Sequence, residues 1–388
     1  MQKKIKNIKL LYASYSIIPS KNANSVHVTK MTQSLKKIFQ DVLLLGISPS
    51  LFKKETNSDI SNHYGLGTLL NMQTFYRLKG AKSRDYIYRV RRATKQYSPD
   101  FIYTRSVSLA KHLSDLNVPI ALECHSTLLN AELDDFKLLL KTGMLKFIVV
   151  ISESLKIGLT EQLSSLTLPS LHVLHDGVDL DFFEKHHDTK LECRKKLALP
   201  NALTVGYTGH LYPGKGGEVI IELAKVMQKI NFLIVGGKDE DVRRYKEIIE
   251  KLELKNVTLV GHVENKLVID YMKASDVLLM PYQSVVNGSG STINISNWMS
   301  PLKMFEYMAS NRPIISSDLP VIREVLNEDN SILCDPSNIA EWSKAIELLT
   351  QNEEFALKIS NNALKDVKGY SWDRRALAIK DEVHDYVK

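Results

Sequence analysis

Short apolar runs alternate with longer segments of helical periodicity along the chain. The runs are rich in Val, Ile and Leu, which is typical of parallel strands that are buried on both faces of a sheet and connected by helices. The runs predict strands at Lys9–Ala13, Val42–Gly46, Phe101–Thr104, Ile120–Glu123, Phe147–Ile151, Thr204–Thr208, Phe232–Val235, Thr258–Val260, Val277–Met280 and Pro313–Ser316. This alternation predicts the α/β class, with two Rossmann-like, doubly wound domains.

A charged segment at residues 184–200 interrupts the strand pattern. The chain has 388 residues, a length that favours two domains over one. We therefore place an N-terminal domain at residues 1–183, a C-terminal domain at 184–370 and a last helical segment at 371–388. Because open parallel sheets bind ligands beyond the carboxyl ends of their strands, the expected site is the cleft between two such domains facing each other.

Hydrophobic residues make up 44% of the chain and charged residues 24%, as in an ordinary soluble protein. The cysteines Cys124, Cys193 and Cys334 match no metal-ligand spacing, and their odd number argues against a disulfide framework. The N-terminus resembles a signal peptide, but its apolar run is short and contains Ser and Tyr, so we interpret it as a first strand. No apolar run approaches the ~20 residues that cross a bilayer. The expected location is the cytoplasm.

The formal net charge of +7 is concentrated in residues 77–95, which hold eight Lys or Arg and a single acid, Asp85. Tyr86, Ile87 and Val90 interrupt the basic residues at roughly helical spacing. The segment is either a solvated helix face or a surface for an anionic acceptor or for anionic lipid headgroups at the inner face of the membrane. We do not expect a nucleic-acid partner, because no recognition motif accompanies the charge.

Residues 300–306 predict the start of a helix that can hold a phosphate. Ser300 is a favourable N-cap and Pro301 suits the first helical position. The first-turn amides lack intrahelical acceptors, so such an end binds anions, and Lys303 adds a full positive charge. Glu306 lies about one turn further on and can accept hydrogen bonds from sugar hydroxyls. The alternative is an ordinary capped amphipathic helix.

A second candidate phosphate loop, residues 209–217, follows the predicted strand Thr204–Thr208. Its glycines let backbone amides approach an anion closely, and Lys215 supplies charge. Its spacing fits neither a P-loop nor a dinucleotide fingerprint. Taken alone, it could equally be a flexible connection from a strand to a helix.

Taken together, these motifs resemble the retaining glycosyltransferases of family 4, which belong to glycosyltransferase group 1 and have the GT-B fold. The segments that carry the resemblance are Ala23–Val28, Glu123–His125, His175–Asp179 with Phe182 and Phe183, Gly209–Gly216, and Ser300–Ala309 with Pro313–Ser317. Ser371–Asp373 resembles the closing helix of the family, which we expect to pack back on the N-terminal domain.

The resemblance implies that the C-terminal domain binds most of a nucleotide-diphosphate sugar, of the UDP or GDP type. Lys215 would neutralise diphosphate oxygens. The amides of Leu302 and Lys303, the Lys303 side chain and the Ser300 hydroxyl would contact the diphosphate or the sugar. Glu306 would bind the ribose. No further cofactor is expected.

Other matching positions imply the rest of the site. The backbone of His262 and Val263 would hold the base, and Asn24 and Ser25 would bring the amides of the first helix near the diphosphate. His125 sits where the family keeps a histidine near the anomeric carbon. With Lys215 and Glu306, it completes the predicted catalytic residues. Arg105, at the end of a predicted strand, is a candidate contact for the acceptor or the donor.

The chain departs from the family pattern at two positions. Trp298 stands where the family has the first of two glutamates, so the choice of sugar cannot be carried over. His210 follows Gly209 where the family usually has arginine, and a neutral imidazole leaves more of the charge to Lys215. The Asp-x-Asp spacings at 179–181 and 239–241 read as a loop and an acidic helix start, and we expect no metal site.

The expected function is the transfer of a sugar from a nucleotide donor to a glycan or lipid-linked acceptor, in the synthesis of cell-surface polysaccharide or glycoconjugates. Two alternatives remain open: a sugar-nucleotide epimerase of the same fold, and a non-catalytic scaffold at the membrane surface. Incubation with UDP-GlcNAc in the absence of an acceptor separates the enzymes, because only an epimerase would convert the sugar.

Overall fold

The computed structural model describes residues 8–52, 55–78, 83–286 and 294–387. It divides into two compact units, residues 1–176 with 372–388, and residues 177–371. The first unit ends at Asp176 rather than at residue 183, because Val178 and Phe183 are buried in the apolar core of the second unit. The α/β class with two Rossmann-like halves is confirmed.

The first unit is built on a seven-stranded parallel sheet with the strand order β3-β2-β1-β4-β5-β6-β7. Its strands are β1 (Lys9–Ile17), β2 (Asp41–Ser48), β3 (Asn71–Tyr76), β4 (Phe101–Thr104), β5 (Ile120–Cys124), β6 (Leu145–Val150) and β7 (Ser170–Val173). Its helices are α1 (Ala23–Ile38), α2 (Asn57–His63), α3 (Arg84–Tyr97), α4 (Val107–Leu113), α5 (Asn130–Lys141), α6 (Glu153–Gln162) and the C-terminal α15 (Trp372–His384). The central strands are buried along their whole length, as their continuous apolar runs require.

The second unit has a six-stranded parallel sheet with the order β10-β9-β8-β11-β12-β13. Its strands are β8 (Thr204–Thr208), β9 (Asn231–Val235), β10 (Val257–Gly261), β11 (Val277–Met280), β12 (Ile314–Ser317) and β13 (Ile332–Cys334). Its helices are α7 (Leu180–Glu184), α8 (Lys190–Lys196), α9 (Gly217–Val226), α10 (Asp239–Lys251), α11 (Asn265–Ala274), α12 (Leu302–Ala309), α13 (Ile339–Gln351) and α14 (Glu353–Asp366).

Each sheet has one point where the chain reverses its direction of progress across the sheet, between β1 and β4 in the first unit and between β8 and β11 in the second. Ligands bind outside the carboxyl ends of strands at such switch points. The loop that starts at Gly209 leaves β8 at this position. The fold therefore places the predicted glycine-rich loop where an open α/β sheet binds ligands.

The C-terminal helix α15 belongs to the first unit and packs along α1. Lys37 near the end of α1 donates a 2.7 Å hydrogen bond to Asp373, and the Trp372 ring contacts the His27 ring edge to face, with centroids 4.9 Å apart. Among the described residues, none of the helices combines the length and the apolar character needed to span a bilayer.

Candidate functional site

In the second unit, Lys215 and Lys303 converge on one aromatic ring. The Nζ of Lys215 lies 4.5 Å from the centroid of Tyr282, and the Nζ of Lys303 lies 5.4 Å from the same centroid. Lys303 also lies 3.7 Å from the centroid of Tyr207. The negative faces of these rings attract the ammonium groups. Two lysines that are far apart in sequence therefore present their charges at one place.

Burial makes this lysine pair, Lys215 and Lys303, unusually acidic. It lowers the pKa of Lys215 from 10.5 to about 7. Burial, together with the charge of Lys215, holds the pKa of Lys303 well below its usual value, although Glu306 opposes the shift. Within the described parts of the chain, the Lys303 ammonium has no hydrogen-bond partner. A buried cation without an acceptor is costly, so an anion bound beside the pair would relieve that cost.

His210 lies close to the lysine pair and is neutral at physiological pH. Burial is the main reason that its pKa falls to about 4, and the charges of Lys215 and Lys303 contribute. Its backbone carbonyl accepts a hydrogen bond from the Tyr207 hydroxyl. His210, where the family pattern predicts arginine, therefore adds no charge to this loop in the free protein.

The helix next to Lys303 begins one residue later than the sequence predicts. Pro301, and not Ser300, is the N-cap of α12, because its ψ of 124° leaves it in the extended region, outside the helix. Ser300 is buried and precedes the cap. The amides of Leu302 and Lys303 still lie in the first turn, where no intrahelical acceptor is available to them. The positive end of α12 therefore adjoins the lysine pair.

Two glycines let the backbone approach the lysine pair closely. Gly209 has a φ of 137°, and a Cβ at this position would lie 2.8 Å from the Lys303 Nζ. Gly236, at the end of β9, has a φ of 112°, and a Cβ there would lie 2.3 Å from the carbonyl oxygen of Gly209. The Gly209 peptide is thus held between a lysine side chain and a neighbouring backbone turn.

We expect Gly236→Ala to lower the free energy of unfolding of the second unit by about 3 kcal/mol, since it combines backbone strain with a clash against Gly209. Urea denaturation measures the change, followed by the NMR signal of 5-fluorotryptophan at Trp342, which is buried in the core of this unit. The matched control is Gly261→Ala. Gly261 also has a positive φ, 81°, but its nearest neighbour, Val242, is 3.9 Å away. If the two variants lost the same free energy of unfolding, the clash with Gly209 would not be the cause of the loss.

The segment predicted to hold the base follows β10. His262 is exposed and Val263 is half-buried, and the Gly236 amide donates a 2.7 Å hydrogen bond to the carbonyl of Gly261 just before them. The charge of His262 is among those that lower the pKa of His210, so the two residues lie near each other. Trp298 is half-buried in the turn that precedes α12. His210 therefore lies near both His262 and the lysine pair.

The first unit contains a second constellation, the Glu123 network, formed by Glu123, Tyr103, His27, His125 and Arg375. The carboxylate of Glu123 is fully buried at the end of β5 and accepts hydrogen bonds from the Tyr103 hydroxyl and, at 3.0 Å, from Arg375. His27 Nε2 lies 2.9 Å from its other oxygen. Burial alone would raise the pKa of Glu123, but the Arg375 guanidinium and His27 outweigh it and hold the pKa well below the usual range.

His125 joins this network through Nε2, which is hydrogen-bonded to Glu123. Burial, reinforced by the charge of Arg105, lowers the pKa of His125 to about 4, so its ring is neutral at physiological pH. A neutral ring that donates from Nε2 to a carboxylate keeps Nδ1 as an acceptor. His125 is therefore oriented to accept a hydrogen bond, for example from a sugar hydroxyl.

The remaining predicted residues of the first unit surround this network. Arg105 donates a 2.7 Å hydrogen bond to the Asn24 side chain, and its Nε lies 3.5 Å from Glu123. The Ser25 amide and hydroxyl both donate to the carbonyl of Asn22, at 3.0 Å and 2.8 Å. Ser25 is thus occupied in shaping the loop before α1, whereas Asn24 and Arg105 form a pair.

Sequence reasoning did not identify most of the Glu123 network. Glu123 reads as an ordinary carboxylate at a strand end, and Arg375 carries no signal, since it lies in the C-terminal helix, far from Glu123 in sequence. His27 and Asp176 both lie in segments that resemble the family, and the structure brings them together, with His27 Nδ1 3.0 Å from Asp176. The presence of both residues in such segments was the one indication in the sequence that they belong to the same site.

Known proteins resemble parts of this chain in sequence. Residues 189–366 match the family model for glycosyl transferases group 1. The O-antigen chain mannosyltransferase RfbU of Salmonella typhimurium is 30% identical over 156 residues, 39% of this chain and 40% of that protein. The putative teichuronic acid biosynthesis glycosyltransferase TuaH of Bacillus subtilis is 29% identical over 153 residues, 39% of this chain and 35% of that protein. The chain thus spans less than half the length of either relative.

Solved structures match over nearly the whole chain. Alr3699/HepE from Anabaena, in complex with UDP-glucose, superimposes with a TM-score of 0.75 and 14% identity, covering 98% of this chain and 100% of that one. At this identity the likeness shows the fold. The chain therefore has the GT-B fold, and residues 189–366 in its second unit are similar to the group 1 glycosyl transferases.

Proposed function

We propose that the protein is a retaining glycosyltransferase that moves a sugar from a nucleotide-diphosphate donor to a glycan or lipid-linked acceptor. The observation that carries the proposal is the convergence of Lys215 and Lys303 on Tyr282, beside the first turn of α12. This arrangement fits a diphosphate, which needs concentrated positive charge and backbone donors. Glu306, one turn further along α12, is the candidate for the ribose hydroxyls.

The lysine pair would act on the leaving group. Glycosyl transfer breaks the bond between the anomeric carbon and the diphosphate, so negative charge develops on the diphosphate as the sugar gains oxocarbenium character. Two fixed ammonium groups and the helix end stabilise that charge in a site from which water is largely excluded. These groups supply positive charge that other enzymes obtain from a metal ion, so the proposed reaction needs none.

The Glu123 network would position the sugar. Neutral His125 presents an acceptor nitrogen, and its ring is fixed by the buried carboxylate of Glu123. Arg105 is held by Asn24 and Glu123 and is the candidate contact for the acceptor. A rigidly held acceptor group orients a hydroxyl at low entropic cost, which is the usual contribution of positioning to catalysis.

UDP is the first nucleotide to test, because the Anabaena neighbour was solved with UDP-glucose; GDP is the second. Polysaccharide synthesis at the cell surface is the proposed context, since one relative is an O-antigen mannosyltransferase and another is assigned to teichuronic acid synthesis. Peripheral association with the inner face of the membrane fits the exposed stripe of Arg84, Tyr88, Arg92 and Lys95 on α3. Vesicles with and without anionic lipid would test that stripe in a sedimentation assay.

A thermal-shift screen over UDP-, GDP-, ADP- and TDP-sugars tests the donor site, because ligand binding to the native state raises its apparent stability. We expect one nucleotide class to bind, and Lys215→Glu to abolish that binding. Unchanged affinity in this variant would refute the site. Conversion of UDP-GlcNAc to an epimer without an acceptor would indicate an epimerase instead, and a folded protein that binds no nucleotide would indicate a scaffold.

We expect donor binding to weaken as the pH rises above about 7, by up to tenfold per pH unit, because of Lys215. The sign follows from its lowered pKa: the free protein loses the Lys215 proton near neutral pH, whereas a bound diphosphate favours the ammonium form and raises the pKa. Binding therefore takes up a proton. Calorimetry in two buffers of different ionisation enthalpy measures the uptake. An equal uptake by Lys215→Met would contradict this assignment.

A further inference from the structure

The second unit gathers four side chains of the types that bind metals, in a group that we name the α8 cluster: His186, Asp188, Cys193 and Asp270. His186 and Asp188 lie in the connection between α7 and α8, Cys193 lies on α8, and Asp270 lies on α11. Their ligand atoms are all within 4.8 Å of one another. Cys193 and Asp270 are buried, so the cluster has a closed inner side.

The spacing within the α8 cluster suits a tetrahedral ion. Zinc binds nitrogen, oxygen and sulfur at about 2.0–2.3 Å, which separates neighbouring ligand atoms by roughly 3.3–3.8 Å. His186 Nε2 lies 2.6 Å from Asp270 Oδ1 and 3.9 Å from Asp188 Oδ2. Cys193 Sγ lies 3.9 Å from Asp270 Oδ1. Shifts of about one ångström would bring these atoms to ligand separations, and one nitrogen, one sulfur and two carboxylates form a set that zinc accepts.

A further observation indicates that a cation is favoured at this place. The Lys196 ammonium already lies between the two carboxylates, 2.9 Å from Asp270 and 3.5 Å from Asp188. Its side chain is half exposed, so it can leave for solvent. His186 Nε2 faces Asp270, so this nitrogen would bind the ion in place of its hydrogen bond to the carboxylate.

A route for an ion is also present. His186 and Asp188 line a surface cavity of about 330 Å³ in the second unit, which also contacts Lys273 and Arg312. The ligands on the exposed side of the α8 cluster therefore face solvent. An accessible entrance is one of the conditions that a real metal site must meet.

We propose that the α8 cluster is a structural Zn²⁺ site. The ion would fasten the connection after α7 and helix α8 to helix α11 of the same unit. This role is independent of the proposed transferase activity, because the cluster shares no residue with the lysine pair.

Zinc binding to the full-length protein tests the proposal. We expect one zinc ion per chain, measured by competition with a chromophoric chelator, and a rise in melting temperature on addition of zinc. His186→Gln and Cys193→Ser should each weaken binding by more than about 100-fold, since each removes a direct ligand. With Co²⁺ in place of zinc, the wild type should show a thiolate-to-metal charge-transfer absorption that Cys193→Ser lacks.

The matched control is Cys334→Ser, because Cys334 is a second buried cysteine of the same unit and lies outside the cluster. It should bind zinc and cobalt like the wild type. His186→Gln covers the case in which Cys193→Ser folds poorly, since His186 is only partly buried. The proposal is overturned if the wild type binds no zinc, or if Cys193→Ser and His186→Gln both retain the wild-type dissociation constant.

Discussion

Lys303→Met is expected to abolish donor binding and, at the same time, to stabilise the free protein. The Lys303 ammonium is buried, and the described residues offer it no hydrogen-bond acceptor. Replacing a desolvated charge with an apolar side chain of similar length should raise the free energy of unfolding of the second unit by about 1–3 kcal/mol. Loss of its proposed contact with the diphosphate should weaken donor binding at least ~100-fold. Urea denaturation and nucleotide calorimetry measure the two effects.

The control for this experiment is Lys229→Met, which removes an exposed lysine from the same unit. We expect it to leave both the stability and the affinity within experimental error, since exposed surface substitutions usually have small effects. The opposite signs of the two changes in Lys303→Met are the diagnostic result. A variant that lost both stability and affinity would show that Lys303 stabilises the packing of the unit. It would contradict the view that its buried charge destabilises the free protein and awaits an anion.

The interior strands of both sheets could be predicted from the sequence, whereas three of the four edge strands could not. Every strand predicted from an apolar run is present, because a strand buried on both faces needs such a run. The missed strands are β3, β7 and β13, and each lies at an edge of its sheet. β3 reads Asn-Met-Gln-Thr-Phe-Tyr, and β7 is only partly buried, so neither shows the continuous apolar run on which the prediction depends.

The lysine pair and the Glu123 network differ in how far they could be predicted. Lys215 and Lys303 lie in compact local motifs, and a glycine loop or a helix start has a recognisable composition. The Glu123 network depends on contacts between distant segments. Arg375 reaches Glu123 because α15 packs on α1. The resemblance at Ser371–Asp373 implies that the helix returns, but nothing in the sequence pairs Arg375 with Glu123. Similarly, the choice between Ser300 and Pro301 as the N-cap depends on one backbone angle.

The Glu123 network also has a large energetic consequence, because its charges have no access to water. The side chains of Glu123 and Arg375 are 0% and 3% exposed. Removing one partner of a buried ion pair leaves the other charge desolvated and unpaired, which costs about 3–5 kcal/mol, whereas replacing both partners with neutral groups costs much less. The stability of the first unit should therefore depend on Glu123 more than on an average core residue.

We expect Glu123→Gln to lower the free energy of unfolding of the first unit by about 3–5 kcal/mol, and the double variant with Arg375→Met to recover part of the loss. The chain has three tryptophans, and Trp372 is the one in the first unit. Labelling with 5-fluorotryptophan gives each a separate NMR signal, so urea titration can follow the two units independently. The unfolding midpoint that Trp372 reports should move to a lower urea concentration. Trp298 and Trp342 report the unfolding of the second unit. If the double variant lost the sum of the two single losses, Glu123 and Arg375 would not be energetically coupled, and the low pKa of Glu123 would need another source of charge.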